Sequence, residues 1–209
     1  LCSNYLLSAI TLTELNTQLN MYKQQSPIIL ASKSPRRQEL MQLMGLDFSI
    51  ELKEVDESFP TDLSPAEIAV YISEKKAKAF EAKENHIVIT ADTIVALNGE
   101  ILGKPTDKAH AQEMLNKLSG SKHEVYTGVT LVKNNQITSF YDLTEVTCRT
   151  VTPEEIDYYI DNFKPFDKAG SYGVQDWWGL AVVTSMKGSY TNVMGLPTEK
   201  LYKALQELR

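Results

Sequence analysis

Ser26-Pro27-Ile28-Ile29-Leu30-Ala31, running directly into Ser32-Lys33-Ser34-Pro35-Arg36-Arg37, is the stretch on which the reading of the fold turns. The first six residues make a short apolar run between polar neighbours, the pattern of a buried strand. The next six open a helix: Ser34 is a good N-cap, and Pro35 suits the first helical position, where its missing N–H loses nothing. Leu40, Leu43 and Met44 supply the apolar face and Gly45 ends the helix. A strand passing straight into a capped helix is how an α/β fold begins.

The pattern continues outward. Phe48, Ile50 and Leu52 alternate with polar residues, which predicts a half-buried strand. Ser64-Pro65-Ala66-Glu67 is a capping box and opens a helix through Lys76 to about Ala82. Ile87 to Ala91 (IVITA) reads as a buried strand. Asn98-Gly99 marks a hairpin between Thr93–Leu97 and Ile101–Leu102. Ala109 to Leu118 is helical, closed by Ser119-Gly120. Val125 to Val132 and Ile137 to Thr150 read as long strands joined at Asn134-Asn135. Thr152-Pro153-Glu154-Glu155 is a second capping box, Trp178 to Met186 a late strand, and Leu196 to Leu208 a closing helix. Strands and helices alternate at first and hairpins then intrude. The expected class is α/β with a mixed sheet and flanking helices. Neither GxGxxG nor GxxxxGK[ST] is present.

The 209 residues suffice for one large domain or two small lobes sharing a cleft. A net charge of -6 argues against a general nucleic-acid coat and an anionic membrane surface. The two cysteines, Cys2 and Cys148, form no metal pattern and fit a reducing compartment. No apolar run approaches the ~20 residues needed to span a bilayer. Residues 1–26 read as an N-terminal extension outside the fold, with Met21 a sensible start, and residues 27–209 as the folded domain. Leu6 to Leu12 is weakly apolar but lacks a preceding basic region, so a signal peptide fits poorly.

The Ser32–Arg37 loop also carries chemistry. A helix N-terminus presents unpaired N–H groups and partial positive charge. Two arginines in its first turn are unfavourable unless an anion offsets them. A phosphate chain would do so through the N–H groups, the Ser32 and Ser34 hydroxyls and the forks of Arg36 and Arg37. An exposed basic helix end is the alternative. Asp92 follows IVITA, and ligands in open α/β sheets gather beyond the carboxyl ends of strands. A carboxylate there can bind a divalent metal or activate water, or it can hydrogen-bond a local turn. Lys104, in Gly103-Lys104-Pro105, and Lys168, in Asp167-Lys168-Ala169-Gly170, can each meet a phosphate or solvent. Lys76 and Lys78 fall on a helix, where a solvated face is the default. Glu54, Asp56 and Glu57 form an acidic cluster able to assist a metal or decorate a loop. His86, His110 and His123 have no zinc-like spacing.

At these residues the sequence resembles the Maf family, the septum-formation-inhibitor-like nucleotide pyrophosphatases. The matching segments are Leu30 to Arg37, Ala91-Asp92-Thr93-Ile94-Val95, Ile101 to Pro105, Leu118-Ser119-Gly120, Thr127-Gly128-Val129 and Asp167 to Gly170. Gly188-Ser189-Tyr190 and Gly195-Leu196-Pro197 complete the series, in the family's order. The resemblance implies a fold like that of inosine triphosphate pyrophosphatases: an elongated mixed sheet and two lobes around a deep cleft. It implies cleavage of dTTP or UTP at the α–β phosphoanhydride, a divalent metal such as Mg²⁺ or Mn²⁺, a cytoplasmic location and a homodimer. Asp92 matches the position assigned as catalytic base, and Asp92 and Glu57 are the candidate metal ligands. Ser32, Arg36, Arg37, Lys76, Lys104 and Lys168 match the basic and polar lining, with Ser34 beside them. Arg36, Thr93 and Gln175 match the positions linked to pyrimidine choice. The subgroup resembling 7-methyl-GTP hydrolases has tryptophan, glutamine and glutamate there. Gln175-Asp176-Trp177-Trp178 is bulkier than the family pattern. The competing classes are a non-enzymatic regulator of cell division and a nucleic-acid-binding module. Convergence of Asp92 with Arg36, Lys104 and Lys168 on one cleft would distinguish the enzyme from both.

Overall fold

The computed structural model describes residues 26–80 and 85–208. The expected extension at residues 1–26 therefore lies outside the described residues except for Ser26.

The opening stretch folds as strand β1 (Ile28–Leu30), every residue of it buried, then helix α1 (Pro35–Leu43). The buried side of α1 is Leu40 and Met41, while Leu43 is 76% exposed. The helix thus turns one residue away from the expected face, and Leu43 points outward at its last turn. Strand β2 (Phe48–Ile50) pairs parallel to β1 at the edge of the sheet. Among the described residues no strand lies beyond it, and Ile50 and Leu52 are 46% and 49% exposed, so the expected half-buried strand is an edge of the described sheet. Helix α2 (Pro65–Lys78) starts at the capping box: Glu67 N–H donates to Ser64 Oγ, and Ser64 N–H to Glu67 Oε2.

Strand β3 (Ile87–Leu97) joins the two strands expected on either side of Asp92 into one of 11 residues. Asp92 is therefore mid-strand rather than beyond a strand's end. Strand β4 (Glu100–Leu102) returns along β3, then helix α3 (Lys108–Leu118). Strands β5 (Lys122–Lys133) and β6 (Gln136–Cys148) make a long antiparallel hairpin. Helix α4 (Pro153–Phe163) follows, capped by Thr152 and Glu155. Short helix α5 (Trp177–Ala181) leads to β7 (Val183–Lys187). The expected late strand thus begins five residues late. The fully buried Trp178 anchors α5 in the core, and a Cβ on Gly179 would meet the Val174 carbonyl. Helices α6 (Tyr190–Met194) and α7 (Thr198–Glu207) close the chain. Among the described residues the strand order is β2-β1-β3-β5-β6-β7, with β4 also on β3: a seven-stranded mixed sheet with flanking helices.

Helix α2 lies on the sheet at a position set by small and polar groups. A Cβ on Gly128 of β5 would stand 2.3 Å from the carbonyl of Ala69, so only glycine lets the helix come this close. Next to it, the buried Ser73 and Thr130 hydroxyls meet at 2.8 Å, and Thr90 Oγ1 donates to the Ser73 carbonyl at 2.6 Å. These bonds satisfy groups that would otherwise be buried without partners. They also fix the helix register. Lys76 lies one turn beyond Ser73, on the same face.

His123 of β5 is 1% exposed and meets Tyr172 Oη at 2.8 Å. Burial lowers its pKa from 6.5 to about 4. The unfolded chain thus binds a proton at a pH where the folded one does not. Stability is complete above pH 6.5 and declines as pH falls towards 4, by about 3 kcal/mol in all and about 2 kcal/mol by pH 5. The urea midpoint is expected to fall between pH 7 and pH 5, and His123→Gln to flatten that slope. A flat wild-type profile would contradict it.

Candidate active site

The site occupies a gap in the sheet. Strand β5 holds one edge of β3 from Ile87 to Ala96. The other edge pairs with β1 over Ile87–Ile89 and with β4 over Val95–Leu97. Among the described residues, Thr90 to Ile94 have no strand partner on that side. Asp92 and Thr93 are also the only residues of β3 that are not buried. A cleft of about 930 Å³ opens at this gap, and Ser32, Ser34, Arg36, Arg37, Glu57, Lys76, Asp92, Thr93, Lys104, Lys168 and Gln175 all line it. Five separate parts of the chain meet there: the β1–α1 loop, α2 with the loop before it, β3, the segment after β4 and the segment after α4. Lys78 is exposed outside it.

Arg37 braces the gap. The Ile89 carbonyl on the open edge accepts from Ala31 N–H at 2.8 Å, the last bond to the β1 side. Two residues on, the Ala91 carbonyl is met instead by Arg37 Nη1 at 2.9 Å. The same guanidinium reaches Ser32 Oγ at 3.2 Å, Thr93 Oγ1 at 3.0 Å and the Gly195 carbonyl at 2.7 Å. Four of its five N–H groups are so committed. Arg37 is thus a clamp joining the loop, β3 and the end of α6, with one N–H uncommitted among the described residues. Thr93 is similarly engaged, with Arg37 and with Thr127 Oγ1 at 3.0 Å.

Ser34 occupies the N-cap of α1 but its side chain makes no capping bond, and the first turn holds no acidic residue. Arg36 and Lys168 converge near this helix end on Asp167, at 2.8 Å to Oδ2 and 2.8 Å to Oδ1. Burial would raise the Asp167 pKa, but the bonds to Lys168 and Arg36 outweigh it and hold it below the carboxylate range. Lys104 is exposed at the cleft wall.

The same cleft holds an acidic pair. Lys76 Nζ lies 2.6 Å from Asp92 Oδ1 and 2.9 Å from Glu57 Oε1. Burial opposes ionisation of Glu57, but the Lys76 bond and the fields of Lys76, Lys104 and Arg37 keep its pKa below the ordinary value. Asp56 is occupied by Lys75 and Ser58, so Glu57 is the member of the acidic cluster that joins Asp92. Gln175 lines the cleft, and its Oε1 is buried with no partner among the described residues.

The bulk of the Gln175–Trp178 stretch is directed away from the cleft, since neither tryptophan lines it. Trp178 is fully buried, and Trp177 stacks with Tyr159 at 6.1 Å. Sequence reasoning missed Asp167 as a bridge between cations, and Tyr159 as a group bonded to Gly173 and Asp176 on either side of Gln175. Tyr159 carries only the signal of a core position on α4, and nothing local shows that its hydroxyl meets a segment 14 residues on.

A nucleotide-sized cleft lined by a carboxylate pair together with arginines and lysines defines a candidate phosphoanhydride hydrolase. Residues 27–208 match the model of the family described as Maf-like protein, and the chain belongs to that family. Its relatives include the dTTP/UTP pyrophosphatase of Flavobacterium johnsoniae, 47% identical over 196 residues, which cover 93% of this chain and 99% of that one. Those of Flavobacterium psychrophilum and Bacteroides thetaiotaomicron are 51% and 50% identical, covering 84% and 87% of this chain and 91% and 95% of theirs. Among solved structures, a nucleoside-triphosphatase / dITP/XTP pyrophosphatase from Mycobacterium abscessus covers 87% of this chain and 98% of that one, at 13% identity and a TM-score of 0.42. A likeness that loose says nothing about the site.

Proposed function

We propose that the protein is a nucleoside triphosphate pyrophosphatase that hydrolyses dTTP and UTP to the monophosphate and pyrophosphate. The observation that carries this reading is convergence. Asp92, the cations Arg36, Lys104 and Lys168, and the unpartnered oxygen of Gln175 share one cleft. A regulator acting by protein contacts alone needs no carboxylate beside a phosphate-binding wall. The names of the relatives agree with this reading.

A triphosphate brings about four negative charges, which the cation wall and the uncapped first turn of α1 are suited to receive. Arg36 and Lys168 exchange Asp167 for phosphate oxygens. Asp92 sits where it can orient a water and take its proton. That water adds to the α phosphorus, the bond to the bridging oxygen breaks, and pyrophosphate leaves. Gln175 Oε1 accepts from N3–H of uracil or thymine, while its Nε2 can donate to a flanking carbonyl.

The carboxylates also suit a divalent cation. Asp92 and Glu57 converge on one point, now held by the Lys76 ammonium, and hard oxygen donors of this kind fit Mg²⁺ or Mn²⁺. Among the described residues no group of three or more such ligands occurs, so the rest of the ion's shell would come from substrate phosphates and water. The ion would draw negative charge off the phosphates. A cytoplasmic setting and a homodimer belong to the same proposal and come from the family resemblance. The free, buried Cys148 fits a reducing compartment. No helix among the described residues is long and apolar enough to cross a membrane.

The test is a panel of UTP, dTTP, CTP, GTP and 7-methyl-GTP with Mg²⁺ or Mn²⁺, measuring pyrophosphate against orthophosphate. UTP and dTTP should lead, giving UMP or dTMP with pyrophosphate, and chelation should stop turnover. Release of UDP and orthophosphate would rule out α–β cleavage. Preference for 7-methyl-GTP would overturn the assignment of base.

A further inference from the structure

A carboxamide has two faces to offer. Turned through half a rotation, it presents a donor where it had an acceptor. Uracil and thymine carry an N3–H donor beside a carbonyl oxygen. Cytosine carries an N3 acceptor beside an amino donor. Which end of Gln175 faces the base therefore decides between these pyrimidines, and something must hold that end in place.

The segment around Gln175 is tied down at both ends by one phenol. Tyr159 is fully buried. Its hydroxyl accepts from Gly173 N–H at 3.0 Å and shares its proton between Asp176 Oδ1 at 3.0 Å and Oδ2 at 3.1 Å. Asp176 N–H lies 3.4 Å from the Gly173 carbonyl and closes residues 173–176 into a turn. Inside that turn, Gln175 Nε2 and Asp176 Oδ2 fold over Gly173. They stand 2.9 Å and 2.5 Å from the point that a Gly173 Cβ would occupy. A carboxylate attracts an amide N–H and repels an amide oxygen. Nε2 is the end of the carboxamide that lies over Gly173 together with Asp176 Oδ2, and Oε1 is the end with no partner among the described residues.

We infer that Asp176, held by Tyr159, fixes the orientation of the Gln175 carboxamide and so selects a base with an N3–H donor, uracil or thymine, over cytosine. This rests on the reading of Gln175 as the group that meets the base. Asp176 and Tyr159 are positioning residues and touch no reacting atom.

The experiment compares kcat/KM for CTP and UTP in the wild type, Asp176→Asn and Tyr159→Phe, with melting temperatures alongside. An asparagine at 176 still accepts from Tyr159 but can offer Gln175 an N–H, which favours the reversed amide. The CTP:UTP ratio should rise on the order of tenfold in Asp176→Asn, the scale of a polar mismatch in a binding site. Tyr159→Phe frees the turn and should move the ratio the same way, whatever it costs in overall rate. Simple loosening of the site lowers both substrates together and leaves the ratio alone. An unchanged ratio in a folded Asp176→Asn overturns the inference, and if that variant does not fold, an unchanged ratio in Tyr159→Phe does so. A wild type that shows no preference for UTP over CTP overturns the reading of Gln175 itself, a failure distinct from either variant's.

Discussion

Asp92→Asn is expected to lower turnover of UTP on the order of 10²-fold or more, the usual loss when a general base is removed. The substitution keeps the shape of the side chain and removes its charge. Both functions open to Asp92, taking a proton from water and binding a divalent cation, need that charge. The protein should still fold. Lys76 loses its 2.6 Å contact with the carboxylate but keeps Glu57 at 2.9 Å, so no unpaired ammonium is left behind. Steady-state turnover with a melting curve on the same sample checks this. Near-normal turnover would remove Asp92 from the mechanism.

Gly128→Ala should be the most damaging single methyl in the protein's central sheet. Gly128 pairs with Asp92 across β3 and β5, and α2 passes over it. The added Cβ would sit 2.3 Å from both the carbonyl carbon and oxygen of Ala69 and 2.5 Å from Val70 N. These are backbone atoms and cannot swing aside as a side-chain tip can. The helix must lift, which breaks the Ser73–Thr130 and Thr90–Ser73 bonds beneath it. Overpacking of this kind costs about 3 kcal/mol or more, a fall in Tm on the order of 10 °C for a domain of this size. Activity should fall further than stability alone explains, because Lys76 rides on the same helix. Urea melts with UTP turnover measured well below the transition separate the two. An unchanged urea midpoint would show that α2 does not need this close approach.

The elements whose signals are local are legible in the order of residues alone. Ser64-Pro65-Ala66-Glu67 and Thr152-Pro153-Glu154-Glu155 start helices because the cap and the reciprocal carboxylate lie within four residues of each other. Asn98-Gly99 turns β3 into β4 because both residues accept positive φ. Where an element departs from its local pattern, the cause is tertiary. Leu43 has an apolar side chain but falls on the solvent side of α1. Ile50 and Leu52 alternate as a half-buried strand should, yet β2 is the edge strand of the sheet among the described residues. Trp178 has the neighbours of a strand residue and lies in a helix because the core fixes its indole.

The same division runs through the site. Sequence alone determined which groups are available: the Ser32–Arg37 loop at a helix start, the Asp92-Thr93 break in an apolar strand, the lysines and Gln175. Side-chain chemistry and helix-end electrostatics are local properties, so their residues can be named from spacing. What each group touches depends on chain segments far apart. Only the tertiary structure placed Asp92 in mid-strand, at the gap where β1 has ended and β4 has not begun. Only there did Arg37 become a clamp, bonded to Gly195, 158 residues away. Asp167 became a bridge between two cations, and Tyr159 the anchor of the turn that carries Gln175. Hydrogen bonds decide those roles, and they act only over about 3 Å, a separation that folding sets and linear order does not.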